Sequence, residues 1–323
     1  MRIVTLTQPG GPENLAVGDA PKPTAGAGEI VVRIIAAGVN RADLLQRQGH
    51  YPPPPGASEV IGLEVSGTVD QVGADVTGWA VGDPCAAILA GGGYAEYVLV
   101  PAGQVIAPPR GIDLVSVAGL VEVAATVVSN FDHVHLSEGE SVLIHGGAGG
   151  IGTFAVQYAR ALGVRVLTTA GSAEKLELCR RLGADVAIDY HQDWPAAVAE
   201  ATGGRGVDVI LDVMGAKYLD ANVASLATDG RLVVIGLQGG RKATLDLNRL
   251  LTRRATVTAT SLRGRPVEQK AAICAAVAER VWPLVESGEI RLAPETRFPI
   301  EEVAQAHRRL ESGENTGKVI LTL

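Results

Sequence analysis

The chain predicts an α/β protein of two domains, a β-rich one followed by a doubly wound parallel sheet, and three observations carry that prediction. Its 323 residues suffice for about two domains at roughly 100 to 200 residues each. The first 120 residues read as short strands punctuated by glycine and proline. From Leu136 onward, short apolar runs alternate with helical patterns, as buried parallel strands and crossover helices do.

Taken in order, Glu29 to Val39, Val60 to Val72 and Tyr94 to Val100 are the strands of the first region, the last following Gly91-Gly92-Gly93. One helix interrupts them: Asn40 is placed as its N-cap, Asp43 stands three residues later, Leu44 and Leu45 give an apolar face, and Gly49 ends it. Pro52 to Pro55 fix φ over four residues and exclude helix or central strand, so an extended surface loop is expected. In the second region Val142 to His145, Val164 to Thr168, Val186 to Ile188, Val207 to Val213 and Leu232 to Ile235 read as strands, with Val257 to Thr260 as a sixth. Between the first two, Ile151, Phe154, Ala155, Tyr158, Ala159 and Leu162 recur at helical spacing and Gly163 stops the helix. Ala271 to Val285 and Ile300 to Leu310 read as helices, and Gly317 to Leu323 as a final strand.

Composition narrows the function classes. Hydrophobic residues make up 47% and charged residues 20%, which excludes a disordered or collagen-like chain. A net charge of -7 opposes attraction to nucleic acid or anionic lipid. The longest apolar stretch, Leu114 to Val128, is interrupted by Ser116 and Glu122, so no membrane span is expected. The run from Met1 lacks a secretory h-region, and cytoplasmic residence is expected. Cys85, Cys179 and Cys274 are far apart and read as packed thiols, and the His133-x-His135 pair has no further ligands nearby, so no metal site is expected.

The chemistry begins at Gly147-Ala148-Gly149-Gly150-Ile151-Gly152, a G-x-G-x-x-G that follows a strand and opens a periodic helix. Gly147 permits the tight turn, Gly149 lets backbone approach a pyrophosphate, and Gly152 brings helix close to strand, while free N–H groups and the helix dipole favour an anion. In a β-α-β-α-β context this is the dinucleotide fingerprint of a Rossmann domain. NAD enzymes place an acid at the end of the second strand; here Ala170 stands there, followed by Gly171, Ser172 and Lys175. Lys175 tilts back toward the ribose, and a cation in the first helical turn is disfavoured by the dipole, so its presence favours the 2′-phosphate of NADPH. Ser172 also reads as a helix cap and Lys175 as a solvated surface residue. Tyr190, beyond the third strand, closes the adenosine side or simply packs there.

With those residues placed, the sequence resembles the zinc-free quinone oxidoreductases of the medium-chain dehydrogenase/reductase superfamily over essentially its whole length. The shared stretches are Gly38-Val39-Asn40-Arg41-Ala42-Asp43-Leu44, Gln46-Arg47-Gln48-Gly49, Tyr51-Pro52-Pro53-Pro54, Gly62-Leu63-Glu64-Val65-Ser66-Gly67 and Gly91-Gly92-Gly93-Tyr94-Ala95. The resemblance implies a chaperonin-10 (GroES)-like domain at 1–122, a Rossmann NADPH-binding domain at 123–265, a return to the first domain at 266–323, and a homodimer joined through the Rossmann sheets. Zinc alcohol dehydrogenases of the same superfamily need a Cys after the early strand and a His in the glycine-flanked loop; here Asn40 or its neighbours and Leu63 hold those places, and the four-cysteine structural loop is absent.

Without a Lewis acid, a simple aldehyde is a poor hydride acceptor, whereas a quinone gives a phenolate-like oxyanion with a conjugate acid near pKa 10, within reach of hydrogen-bond donors. The resemblance points to Asn40 and Tyr51 as those donors at the inter-domain cleft, with Asn40 equally a helix cap and Tyr51 also readable as packing. By the same similarity Thr126, Gly236 and Leu237 approach the nicotinamide and Asn315 reaches the cofactor phosphate, although Gly236 to Arg241 also reads as a mobile loop. The expected function is NADPH-dependent, zinc-independent quinone reduction; an enoyl-thioester or α,β-unsaturated carbonyl reductase, and a non-catalytic NADPH-binding protein, are the alternatives.

Overall fold

The computed structural model describes every residue, Met1–Leu323. Backbone contacts divide it into two units, Met1–Ala125 with Leu262–Gly288 and Leu292–Leu323, and Thr126–Ser261 with Glu289–Arg291.

The second unit is built on six parallel strands in the spatial order Val186–Asp189, Arg165–Ala170, Ser141–His145, Val207–Asp212, Leu226–Val234 and Thr256–Ala259. In chain order these are the third, second, first, fourth, fifth and sixth strands, the doubly wound arrangement. Val142, Leu143, Ile144, Val209 and Ile210 are all fully buried, which is why the central strands read as continuous apolar runs rather than as an alternation. The helix Gly150–Ala161 lays Phe154, Ala155, Tyr158 and Ala159 into the protein, with Phe154 stacked on Tyr158 at 5.8 Å between centroids. Strand order reverses between Ser141–His145 and Val207–Asp212, the crevice where such sheets receive ligands beyond their carboxyl ends.

The first unit carries a mixed sheet, Glu295–Pro299, Lys318–Thr322, Glu29–Val39, Glu64–Val72, Pro84–Ile88 and Val105–Ile106, with Tyr97–Pro101 also paired to Glu29–Val39. Its core lies under Ile30, Val32, Val65, Ala87, Val100 and Leu321. The loop at Pro52–Pro55 has neither helix nor strand.

Several boundaries differ from the sequence expectation. The second strand starts at Glu64 rather than Val60, because Gly62 adopts φ +111° and breaks the run. Tyr94–Glu96 lie outside the strand Tyr97–Pro101 and pair instead with the N-terminal strand Arg2–Leu6, through Val4 N–H to Tyr94 O at 2.8 Å and Glu96 N–H to Arg2 O at 3.0 Å. The strand expected at Leu232 begins at Leu226: Asp229-Gly230, with Asp229 at φ +62°, makes a register shift inside the strand rather than a turn before it. The helix expected at 271–285 is two, Val267–Arg280 and Trp282–Glu286, because Pro283 lacks the N–H that would continue the first. The segment Leu114–His133 does reach the length and apolarity of a membrane span, contrary to expectation, yet 83% of it is buried inside the protein.

Candidate functional site

In the second unit the strand Ser141–His145 ends in a turn whose left-handed residue is Gly146, at φ +76°, and not Gly147 as the motif suggested. Gly147 is required for another reason: a Cβ there would lie 2.1 Å from Thr168 Oγ1 and 2.9 Å from Cys179 Sγ. A Cβ at Gly152 would stand 2.2 Å from Gly146 O, so this glycine lets the helix start against the turn. Gly149 is different. A Cβ there would meet only Gly146 O, at 3.5 Å, so the protein itself leaves that space open. Gly149 is also the N-cap of Gly150–Ala161 and supplies no side-chain cap, so the first-turn N–H groups around Gly150 and Ile151 point outward. This open, positively polarised turn fits a pyrophosphate.

The end of the second strand builds the adjoining part. Ala170 is buried, and Tyr190 lies over Gly171, where a Cβ would be 2.2 Å from the phenol oxygen. The Tyr190 side chain is nevertheless 42% exposed, an aromatic face beside the nucleotide turn. Ser172 caps the helix Ala173–Leu182 by accepting from Lys175 N–H at 3.3 Å, and the Lys175 side chain is half-buried in the first turn. Sequence reasoning missed Glu174: its carboxylate is held below the usual range by its own backbone N–H and the Ser172 hydroxyl, and it puts an anion next to Lys175.

The loop Gly236–Arg241 is not the free loop that was the alternative. Gln238 and Gly239 N–H bond Val213 and Met214 O at 3.2 and 2.7 Å, and Ala216 and Lys217 N–H bond Gly240 and Gly239 O at 3.0 and 3.1 Å. A Cβ on Gly236 would meet Val213 O at 2.7 Å, while Leu237 keeps 49% of its surface exposed. Asp212, a second residue the sequence did not reveal, anchors this corner by accepting from Met214 and Gly215 N–H, each at 2.8 Å. Thr126 is buried in the helix Val121–His133, where its carbonyl accepts from Ser129 Oγ and Asn130 Nδ2.

In the first unit Asn40 is the N-cap of the helix Arg41–Arg47, with Asp43 as its capping-box partner, and its amide also bonds groups outside the helix. Asn40 Nδ2 donates to Glu64 Oε1 at 2.9 Å, and Lys318 Nζ donates to Asn40 Oδ1 at 2.8 Å and to Glu64 Oε1 at 2.7 Å. Glu64 is fully buried and its second oxygen accepts from Glu122 N–H at 2.9 Å. Gly38 makes the room: a Cβ there would lie 2.1 Å from Glu64 Oε1. The buried ion pair therefore fixes which way the Asn40 amide faces, leaving its second N–H uncommitted among these bonds. Lys318 had no sequence signal, because it lies 278 residues from Asn40.

Beneath this group, Asp43 Oδ2 accepts from Asn40 N–H at 2.7 Å and from the Tyr94 hydroxyl at 3.1 Å, and the Tyr94 hydroxyl also meets His307 Nε2 at 3.2 Å. Burial pushes the Asp43 carboxyl up to about 7, against the hydrogen bonds from Asn40 and Tyr94, and pushes His307 down to about 3.

Tyr51 leads into the proline loop and is held by Arg263, whose Nη1 donates to Tyr51 O at 3.1 Å and whose guanidinium lies 5.1 Å from the ring centre. Arg263 also donates to Gln46 Oε1 and Ala90 O, at 2.8 and 2.7 Å, and Gln46 donates to Glu59 O at 2.8 Å, so both ends of the loop are clamped. Asn315 is buried just before the last strand. Its Nδ2 bonds Gly317 O at 2.9 Å, bracing the turn before the last strand, and its buried Oδ1 is an acceptor without a partner.

No group of three or more His, Cys, Asp and Glu side chains is arranged to hold a metal. Around Glu64 this chain sets the Asn40 amide and the Lys318 ammonium, a donor set that does not fit zinc.

The GroES-like domain of alcohol dehydrogenases matches residues 26–110, and the zinc-binding dehydrogenase family matches residues 150–277. A quinone oxidoreductase of Pseudomonas aeruginosa is 33% identical over 97% of this chain and 96% of its own, and a 2-haloacrylate reductase of Burkholderia is 31% identical over 97% and 96%. The solved structure of a mycobacterial protein complexed with NADPH superimposes with a TM-score of 0.90 at 35% identity, covering all of both chains. With its doubly wound nucleotide unit, its GroES-like unit and these full-length likenesses, the chain belongs to the quinone oxidoreductases of the medium-chain dehydrogenase/reductase superfamily.

Proposed function

We propose that this protein is an NADPH-dependent, zinc-independent reductase of quinones. The observation that carries the reading is the Lys318–Glu64–Asn40 group: a cation paired with Glu64 is built into the fold, and it leaves an amide oriented for hydrogen bonding. Gly149, Gly150 and Ile151 would take the pyrophosphate, and Gly171, Ser172, Lys175 and Tyr190 would take the adenosine side and its 2′-phosphate. When bound, the reduced nicotinamide supplies a hydride to an electron-poor acceptor.

The chain's own task is then small. Asn40 and Tyr51 donate hydrogen bonds to the oxygen on which charge develops, and their supports, Lys318 with Glu64 and Arg263, keep both from reorganising during the step. Such donors suffice for a phenolate-like anion and fall short for an alkoxide, which restricts the acceptor to quinones or similarly activated compounds. The likeness to a 2-haloacrylate reductase supports a second reading, reduction of an activated carbon–carbon double bond, in which charge spreads into an enolate. Turnover of NADPH with a panel of aromatic quinones and of crotonyl thioesters decides between them. Activity on quinones alone supports the proposal, and the reverse pattern supports the second reading.

A homodimer and cytoplasmic residence belong to the same proposal. Leu247 and Leu251 are 70% and 76% exposed on the helix Leu247–Arg253, which packs on the strand Leu226–Val234 next to the sheet edge. Light scattering after gel filtration would show a monomer if that face is not an interface.

A further inference from the structure

The first unit contains a cavity of about 710 Å³ that none of the proposed nucleotide residues lines. Its walls are the end of the proline loop, the stretch Ile88–Gly92 and the segment Arg263–Val267 leading into the helix Val267–Arg280. Ile3, Val60, Leu89 and Val98 give it an apolar body.

Its charge is one-sided. Arg263, Arg265 and Lys270 line it against a single carboxylate, Glu29, which already accepts from Gly26 N–H at 3.0 Å. Arg263 and Lys270 are each 5% exposed. Arg263 donates to three neutral acceptors, and the hydrogen bond of Lys270 Nζ is a long one, 3.5 Å to Arg263 O. Neither has a carboxylate partner, although buried cations are ordinarily paired. Burial, with the Arg263 guanidinium adding to it, pushes the Lys270 ammonium below its usual range.

A further feature points the same way. The helix Val267–Arg280 begins at this wall with Pro266 as N-cap and no side-chain cap, and the acid of its first turn, Glu268, is exposed and off the wall.

We propose that this cavity binds an organic anion with an apolar body, a carboxylate or a sulfonate, whose charged head pairs with Lys270 at the start of the helix and whose body lies among Ile3, Val60, Leu89 and Val98. Lys270 sets the preference for charge. The cavity shares Arg263 with the support of Tyr51, but Lys270 has no part in quinone reduction as read above, so failure of this proposal would leave that reading intact.

Fluorescence titration of the full chain with 8-anilinonaphthalene-1-sulfonate, and with neutral N-phenyl-1-naphthylamine as control, tests this with saturating NADPH present. Lys270→Met should weaken the sulfonate about tenfold or more and leave the neutral probe within about twofold, while Lys270→Arg should retain sulfonate binding. Ala57→Trp, which adds an indole at the cavity wall, should weaken both probes and does not depend on Lys270 variants folding. Equal weakening of both probes by Lys270→Met, no weakening by it, or unchanged sulfonate binding in Ala57→Trp would overturn the proposal, as would displacement of the sulfonate by saturating NADPH or quinone.

Discussion

The nucleotide turn at Gly146–Gly152 and the Asn40–Glu64–Lys318 group are built on opposite principles. The turn is made of backbone, lies within seven consecutive residues, and works because side chains are missing: Gly149 leaves open a space that no protein atom needs. The other group is made of side chains from three distant parts of the chain, 24 and 254 residues apart, held at 2.7 to 2.9 Å around a fully buried Glu64. A backbone site tolerates change everywhere except where a Cβ would intrude. A buried charged group tolerates no single change, because each partner removed leaves another unsatisfied.

That contrast is breakable at defined points. Lys318→Met should cost about 3 to 5 kcal/mol of folding stability in urea titrations by stranding the Glu64 carboxylate, and adding Glu64→Gln should recover part of it. A double variant as unstable as the sum of the singles would show that the two charges do not act as a pair.

The buried Asp43 sharpens the same side of the comparison. Its folded pKa, about 7, lies above the unfolded value of 3.8, so its contribution is fully present below 3.8 and is lost as pH rises through about 7. Asp43→Asn should therefore gain on the order of 4 kcal/mol relative to the parent between pH 4 and pH 8. His145 and His307, pushed by burial down to about 4 and 3, act oppositely, losing stability as pH falls below 6.5, and they cancel in this difference. A pH-independent difference would contradict a buried, largely protonated Asp43.

On the backbone side, Gly149→Val should raise the NADPH dissociation constant about a hundredfold or more with little change in melting temperature. Gly152→Val, whose side chain would collide with Gly146 O, should instead lower the melting temperature. If both behave alike, the distinction between a glycine kept for the ligand and one kept for the fold fails. Lys175→Glu should weaken NADPH about tenfold more than NADH in calorimetry, a smaller effect because the side chain is half-exposed. The smallest change, Tyr51→Phe, should lower turnover by about tenfold with cofactor affinity unchanged, the worth of one hydrogen bond in the rate-determining step.

What could be read from the sequence follows the same division. The parallel strands, the glycine turn and the Ser172 cap are local, so periodicity and residue type reveal them. The errors also have local causes: Pro283 splits a helix that apolar spacing had run together, and Asp229-Gly230 marks a shift within a strand rather than its start. Lys318 and Arg263 could not be found this way. Each is an ordinary cation in its own neighbourhood, and its role exists only once the chain returns to Asn40 or to Tyr51. Asn40 shows both sides: its position at a helix start, with Asp43 three residues on, revealed the N-cap, while the bonds of its amide to the distant ammonium and carboxylate had no local signal.

The most direct measurement is NADPH oxidation by an aromatic quinone before and after exhaustive chelation, with metal content determined on the same sample. The account predicts an unchanged rate in protein free of zinc. A rate that falls with the metal and returns on adding zinc would contradict it.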